Sequence, residues 1–503
     1  MNAFLTSIRL DALSRRQFAF IAIALVIAQG VLWIGAPLLF EGSIRQDVAE
    51  GVVDGLEWRL SYPIHPPISS WLSALASSLG PFRYAAVFAI GFALASGAFA
   101  IVAALLAKVD RPASGLVALL AGLASPYATY VPIQVNHNIG LMPFWAATLA
   151  AAWFAFEGGS LAQWAAFGVA VGLGLWAKYA ILHLVAPLAV LFFVVPEWRR
   201  RTLTFGPWLA LLVCAAVVAP HFLDVLRMGS TTLQYATRTL PEPFSVRLVW
   251  IAGFGLYGAL AQIPMALIAL AACGRAPLVA AIRAMTSSKS ASRFDLFVHA
   301  AALGPVLVIL AAAPFGVRPH YLWITAPSLG FALWWGRAAG RAGFAPPPGR
   351  VYVTYATLAA LLVAGYVAER EIAPRVGQRP LYADMDGPAL AALAQRYWAD
   401  RESGPIPYIV SLDEQRGLQA GGSIVFDSPY PIRMLQDDDP ANAPWIDLAD
   451  LKKRGALVVS PRSLAAGTRV EGAEVQQIEK FERPMRRGVS KEPIFFGVLL
   501  PNS

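Results

Sequence analysis

Six carboxylate, guanidinium or imidazole side chains crowd the segment from Asp47 to Pro67, D-V-A-E-G-V-V-D-G-L-E-W-R-L-S-Y-P-I-H-P-P: Asp47, Glu50, Asp54, Glu57, Arg59 and His65. Three smaller polar groups recur further along. They are Gln134, Asn136, His137 and Asn138; Lys178, Tyr179 and His183; and Arg318, His320 and Tyr321. A carboxylate can serve as a general base or orient an acceptor hydroxyl. Lys can hold a phosphate as a point charge and Arg as a planar fork. Cations beside a departing phosphate also stabilise the charge that develops on it. A carboxylate-rich loop with scattered cations suits transfer from a lipid-phosphate donor.

The elements around these residues are greasy. Of 503 residues, 57% are hydrophobic and only 14% charged, where a soluble domain carries about 25% charged residues. Apolar runs of about 20 residues mark a polytopic membrane protein, and lipid forces such runs into helices. Eleven spans are expected, near 17–39, 84–107, 113–130, 139–156, 161–177, 179–196, 205–225, 247–273, 295–313, 320–336 and 352–371. The segments on one side hold 15 Lys/Arg: Arg9, Arg15, Arg16, Lys108, Arg111, Arg199, Arg200, Arg201, Arg275, Arg283, Lys289, Arg293, Arg337, Arg341 and Arg350. The opposite short loops hold 7: Arg45, Arg59, Arg83, Arg227, Arg238, Arg247 and Arg318. The bias predicts a cytoplasmic N-terminus. Eleven spans then put the C-terminus outside, and all four polar groups at or near the outer face. A charged group at the edge of the hydrocarbon is costly and points to function.

After residue 371 the pattern changes. Short apolar strands at 408–410, 423–426 and 456–459 alternate with helical stretches at 387–399 and 447–454. Turn residues separate them, among them Gly421-Gly422 and Asp437 to Pro440. This predicts a small soluble α/β domain over 372–503. It has no Gly-rich phosphate loop and no G-x-S-x-G, and reads as an accessory domain. The two cysteines, Cys214 and Cys273, make no disulfide framework. The net charge of +9 reflects topology rather than nucleic-acid binding.

The spacing from Asp47 to His65-Pro66-Pro67 resembles the first outer loop of the GT-C membrane glycosyltransferases. The resembling branch contains protein mannosyltransferases, the aminoarabinose–lipid A transferase and the rhizobial galacturonosyl transferases. Its Asp-Glu-Ala opening stands here as Asp47-Val48-Ala49, so the Glu is missing. Its second Asp, before a Phe-Trp, corresponds to Asn138 within Asn136-His137-Asn138. Ala177-Lys178-Tyr179 is similar to the family's Ser-Lys-Tyr. Ala443-Pro444-Trp445-Ile446-Asp447 and Lys453-Arg454-Gly455-Ala456 are similar to tails of bacterial members.

The resemblance implies a GT-C fold, with residues 1–371 as the transmembrane domain and 40–83 as its catalytic outer loop. It implies an inverting transfer of a sugar from a polyprenyl-phosphate donor to a lipid or glycan acceptor, of lipid A or lipopolysaccharide type, in a bacterial inner membrane. Asp47 would be the base or acceptor-orienting group. Lys178, with Arg59 or Arg318, would hold the donor phosphate. Glu50, His65, Asn136, Asn138 and His320 would border the substrates. A monomer is expected, and nucleic acid is not a partner. No cofactor is certain. A divalent cation stays open, although one Asp with Asn138 opposite makes a poor divalent site.

Simpler readings stand beside these. Asp54 and Glu57 are expected to be the wet face of an interfacial helix. Lys178 could snorkel to the interface, Asn138 could cap a helix, and Arg318 and His320 could flank a span. A lipid or sugar transporter is the rival from another class, since transporters also hold polar groups within a helical bundle. The transporter reading expects two matching halves, which the chain lacks. A non-catalytic scaffold with this fold is the third reading.

Overall fold

In a computed structural model, residues 10–287, 289–344, 349–372, 376, 384–413, 416–486 and 489–501 are described. Arg9, counted above for topology, lies outside them. The chain folds as two compact units. One comprises Met1–Ile34, Gly91–Ile133 and His137–Gly365; the other comprises Gly35–Ile90, Gln134–Asn136 and Tyr366–Ser503.

The first unit is helical, and the chain is a multi-pass membrane protein. Among the described residues, seven helices are long and apolar enough to cross a membrane, or nine if each bent pair is one span. The sequence predicts eleven segments, and three of these differ in form. Pro112–Leu123 bends by 82° into Pro126–Ile133, and Tyr179–Val194 bends by 95° into Pro196–Leu203. Both bends fall at a proline that starts the second piece, where its missing N–H costs nothing. The expected span 320–336 is instead a short 3-10 turn, Tyr321–Ile324, followed by the 15-residue helix Ser328–Ala342. That helix ends in Arg337 and Arg341, which enter an ion network. Arg337 Nη1 lies 2.8 Å from Asp110 Oδ1 and its Nε 2.9 Å from Asp295 Oδ1. Arg341 also pairs with Asp295, whose side chain is 0% exposed.

The second unit contains a five-stranded sheet of order β2-β1-β3-β7-β6, with β1 Tyr408–Ser411, β2 Arg433–Gln436, β3 Ala456–Ser460, β6 Gln476–Pro484 and β7 Val489–Leu499. Strand β1 runs parallel to β2 and β3, and β7 runs antiparallel to β3 and β6. A small pair, β4 Arg469–Val470 and β5 Ala473–Glu474, stands apart. Five helices matter here: α1 Gln46–Gly55, α2 Ile68–Ser77, α3 Gly387–Ala399, α4 Arg416–Asp427 and α5 Leu448–Arg454. The sheet core includes Tyr408, Val410, Leu435, Leu451, Val458 and Leu499.

The expected strands at 408–410 and 456–459 and the expected helices at 387–399 and 447–454 are present. The expected strand at 423–426 is wrong. Those residues form the end of α4, which is buried all along Gly417–Phe426. The helix buries Gln419 and Ser423 along with its apolar residues, so burial here does not follow polarity, and β-branched Ile424 and Val425 beside Phe426 mimic a strand. The expected Gly421-Gly422 turn lies inside the same helix. Here Gly serves close approach: a Cβ at Gly422 would stand 2.6 Å from that of Ala49 in α1. At Gly55 it would stand 2.0 Å from the Ser70 carbonyl oxygen. Helix α1 is thus pressed between α2 and α4 through its small residues.

Candidate active site

Within the second unit, α1 carries the acidic residues. Arg45 precedes it in extended backbone with no side-chain cap. Asp47 then falls in the first turn, where the helix N-terminus favours negative charge. Asn136 Nδ2 donates to Asp47 Oδ2 at 2.9 Å, and Asn136 is buried. A neutral amide therefore meets the carboxylate, where a two-carboxylate cation site would need a second acid.

Glu50 lies one turn on. A carboxylate oxygen of Glu50 and a ring nitrogen of His65 approach within 4.8 Å. Glu50 Oε1 is buried without a hydrogen-bond partner among the described residues. Burial, with Asp54 and Asp47 close by, holds the Glu50 carboxyl well above the usual carboxylate range.

Asp54 and Glu57 are not a wet face, and that expectation is corrected. Asp54 is 5% exposed and its Oδ1 accepts from Gln436 Nε2 at 3.0 Å. Glu57 accepts a bidentate pair from Arg433 Nε and Nη2, each at 2.7 Å. The same Nη2 donates to the Trp445 carbonyl at 3.1 Å. Spacing along α1 shows which residues share a face, but not what that face meets.

The segment after α1 is held by its backbone. Arg59 N donates to Tyr62 Oη at 3.1 Å, and the Arg59 carbonyl accepts from Trp71 Nε1 at 2.9 Å. The Tyr62 ring packs edge-on against Trp445 at 5.6 Å. Trp58, at φ +47°, occupies the left-handed region that a bulky residue avoids. Arg59 Nε is buried without a partner among the described residues. Pro67 stands at the start of α2.

In the first unit, Lys178 joins helix Leu161–Ala177 to the turn Tyr179–Ile181 in extended backbone, φ −169° and ψ 134°. Its Nζ donates to Asn138 Oδ1 at 2.7 Å and sits 5.9 Å from the Trp323 ring centre. The His183 ring lies 6.3 Å from the same indole. Tyr179 Oη and His221 Nε2 share a hydrogen bond of 2.8 Å. The Arg318 guanidinium stacks over Trp250 at 5.7 Å. His320 Nδ1 accepts from Leu322 N at 3.3 Å, capping the 3-10 turn.

The structure thus brings together Asp47 with Asn136, Glu50 with His65, and Lys178 with Asn138. Sequence reasoning missed Gln436, Arg433, Trp323 and His221. Only the Trp445 segment carried a signal, through its likeness to family tails.

Residues 64–223 match the family of dolichyl-phosphate-mannose-protein mannosyltransferases. The match takes in His65, Asn136, Asn138 and Lys178 and begins after Asp47. No curated protein sequence matches the chain. Among solved structures, the chain resembles ArnT from Cupriavidus metallidurans in the apo state, with TM-score 0.60 and 13% identity over 96% of this chain and 98% of that one. It resembles ArnT from the same organism bound to undecaprenyl phosphate, with TM-score 0.61 and 13% identity over 97% and 99%. The chain has the GT-C glycosyltransferase fold. The likeness spans nearly the full length of both chains, so the GT-C fold here includes the C-terminal sheet.

Proposed function

We propose that this chain is a membrane glycosyltransferase that moves a sugar from a polyprenyl-phosphate donor to a lipid or glycan acceptor. The observation that carries the reading is the Asp47 carboxylate, placed at a helix N-terminus and held by Asn136. The GT-C fold, shared with a protein solved with undecaprenyl phosphate, supports the donor class. An acceptor hydroxyl attacks the anomeric carbon as the bond from that carbon to the phosphate oxygen breaks. Asp47 takes the hydroxyl proton, and the polyprenyl phosphate leaves on the opposite side, with inversion. Lys178, fixed by Asn138, and Arg59 or Arg318 hold the phosphate as its charge grows. Glu50, His65 and His320 border the substrates.

In this reading the enzyme sits in a bacterial inner membrane with its N-terminus in the cytoplasm. Residues 1–371 form the membrane domain with the catalytic loop 40–83. Residues 372–503 form a periplasmic domain, and a lipid A or lipopolysaccharide acceptor is its substrate class. Support for that orientation comes from the Lys/Arg count. Arg337 and Arg341, both counted on the cytoplasmic side, share one ion network with Asp110 and Asp295.

The test compares envelope lipids and lipopolysaccharide by mass spectrometry in cells lacking the gene, complemented with the native chain or with Asp47→Asn. A glycosyl mass increment should appear only with the native chain. An increment that persists with Asp47→Asn removes Asp47 from the reaction. No increment in any envelope fraction removes the glycosyl transfer.

A further inference from the structure

We propose that Arg433 and Gln436 of the C-terminal sheet are positioning residues for Asp47, acting through α1; this rests on Asp47 being the reacting carboxylate. Helix α1 is ten residues long and starts without a side-chain cap. Its last turn, at Asp54, and the chain two residues past its end, at Glu57, are both tied to one strand. Gln436 grips Asp54, and Arg433 grips Glu57 with both arms of its guanidinium. That bidentate geometry fixes direction as well as distance. Strand β2 is itself held in register, with Arg433 opposite Tyr408 and Gln436 opposite Ser411 of β1.

Seven residues separate Asp47 from Asp54. At 100° per residue they project from nearly the same face, about two turns apart. The helix is therefore a lever. A roll of ~20° that releases Asp54 also carries the Asp47 carboxylate sideways by roughly 2 Å, and ~1 Å of misplacement can cost about 100-fold in rate. A second clip steadies the chain beyond α1. Arg433 also holds the Trp445 carbonyl, Trp445 packs on Tyr62, and Tyr62 Oη accepts from Arg59 N. The tail segment Ala443–Asp447 that resembles family tails is thus part of the clamp. Packing of α1 on α2 and α4 limits translation along its axis. The polar ties at Asp54 and Glu57 set its rotation.

The test uses the full-length chain with Arg433→Glu, Glu57→Arg, the double swap, and Gln436→Ala. Two readouts are taken: accumulation rate of the glycosylated envelope product at matched membrane levels, and hydrogen exchange of residues 46–55 in the purified protein. Arg433→Glu should slow accumulation at least ~10-fold and speed exchange in α1. The double swap should recover part of both losses, because it restores the ion pair with residue 57 but not the donor to the Trp445 carbonyl. Gln436→Ala carries the test if Arg433→Glu fails to yield monodisperse protein. Native rates in Arg433→Glu or Gln436→Ala overturn the proposal, as does a double swap that recovers neither readout. Asp47→Asn in parallel separates the two ideas. If it transfers normally while α1 exchange still responds to Arg433, the clamp stands and the role of Asp47 falls.

Discussion

Asn136 donates a 2.9 Å hydrogen bond to the Asp47 carboxylate. Two positions on, Asn138 accepts one of 2.7 Å from Lys178. The candidate base and the candidate phosphate ligand are therefore each met by a neutral amide within their own unit. A neutral partner fixes a charged group without cancelling its charge, which is what a base or an anion ligand needs.

Asn136→Ala should keep the protein folded and slow transfer by roughly 10- to 100-fold, the worth of one hydrogen bond to a charged group. Asp47→Asn should slow it further, by about 10²- to 10⁴-fold, as for a lost general base. Initial rates at matched, monodisperse protein check the order. Asn136→Ala slower than Asp47→Asn would contradict it.

Lys178→Met should weaken the donor more than the acceptor, because a held phosphate loses its counter-charge. Asn138→Ala keeps that charge and loses only its tether, so its effect should be smaller, near ~10-fold. Titrating each substrate separately decides this. Equal losses on both sides would favour a purely structural Lys178.

Burial pushes the Asp54 carboxyl up to about 7 from its ordinary 3.8, with Glu57 raising it further and the Gln436 hydrogen bond opposing. The folded state then binds this proton more tightly than the unfolded state. Stability from Asp54 is full below about pH 4 and is lost as pH rises through about 7. Asp54→Asn should therefore melt progressively higher, relative to the native chain, between about pH 4 and 7 and then level off. Thermal unfolding across that range checks it, and a difference that stays flat with pH would show that Asp54 is not the titrating group.

Gly55→Ala should destabilise the second unit by about 1–3 kcal/mol, the range for overpacking, because its Cβ would stand 2.0 Å from the Ser70 carbonyl oxygen. Ser78→Ala, beyond the α1–α2 contact, should shift the melting temperature little. Comparable melts for both would mean that α1 and α2 can separate without cost.

Arg337→Ala should cost about 3 kcal/mol, the range for breaking a buried ion pair. It leaves Asp295, whose side chain is 0% exposed, with Arg341 as its remaining ion-pair partner among the described residues. Arg337→Lys should recover part of the loss, since a single ammonium cannot bridge two carboxylates as the guanidinium fork does. Detergent melting curves would measure both.

Composition and apolar run length were enough to establish a helical membrane protein, because lipid leaves the backbone few alternatives. The distance from Asp47 to His65-Pro66-Pro67 was enough to point to the GT-C glycosyltransferases, since both ends of that loop lie in one continuous stretch. The alternation of turns and apolar runs was enough for a small α/β domain, though not for α4, where the stretch 423–426 reads locally as a strand and buried Gln419 and Ser423 read as exposed. Partners were another matter. That Asp54 and Glu57 meet Gln436 and Arg433, more than 370 residues away, follows from packing alone. Helical spacing shows which side chains share a face, and only tertiary structure decides whether water or another chain segment covers it.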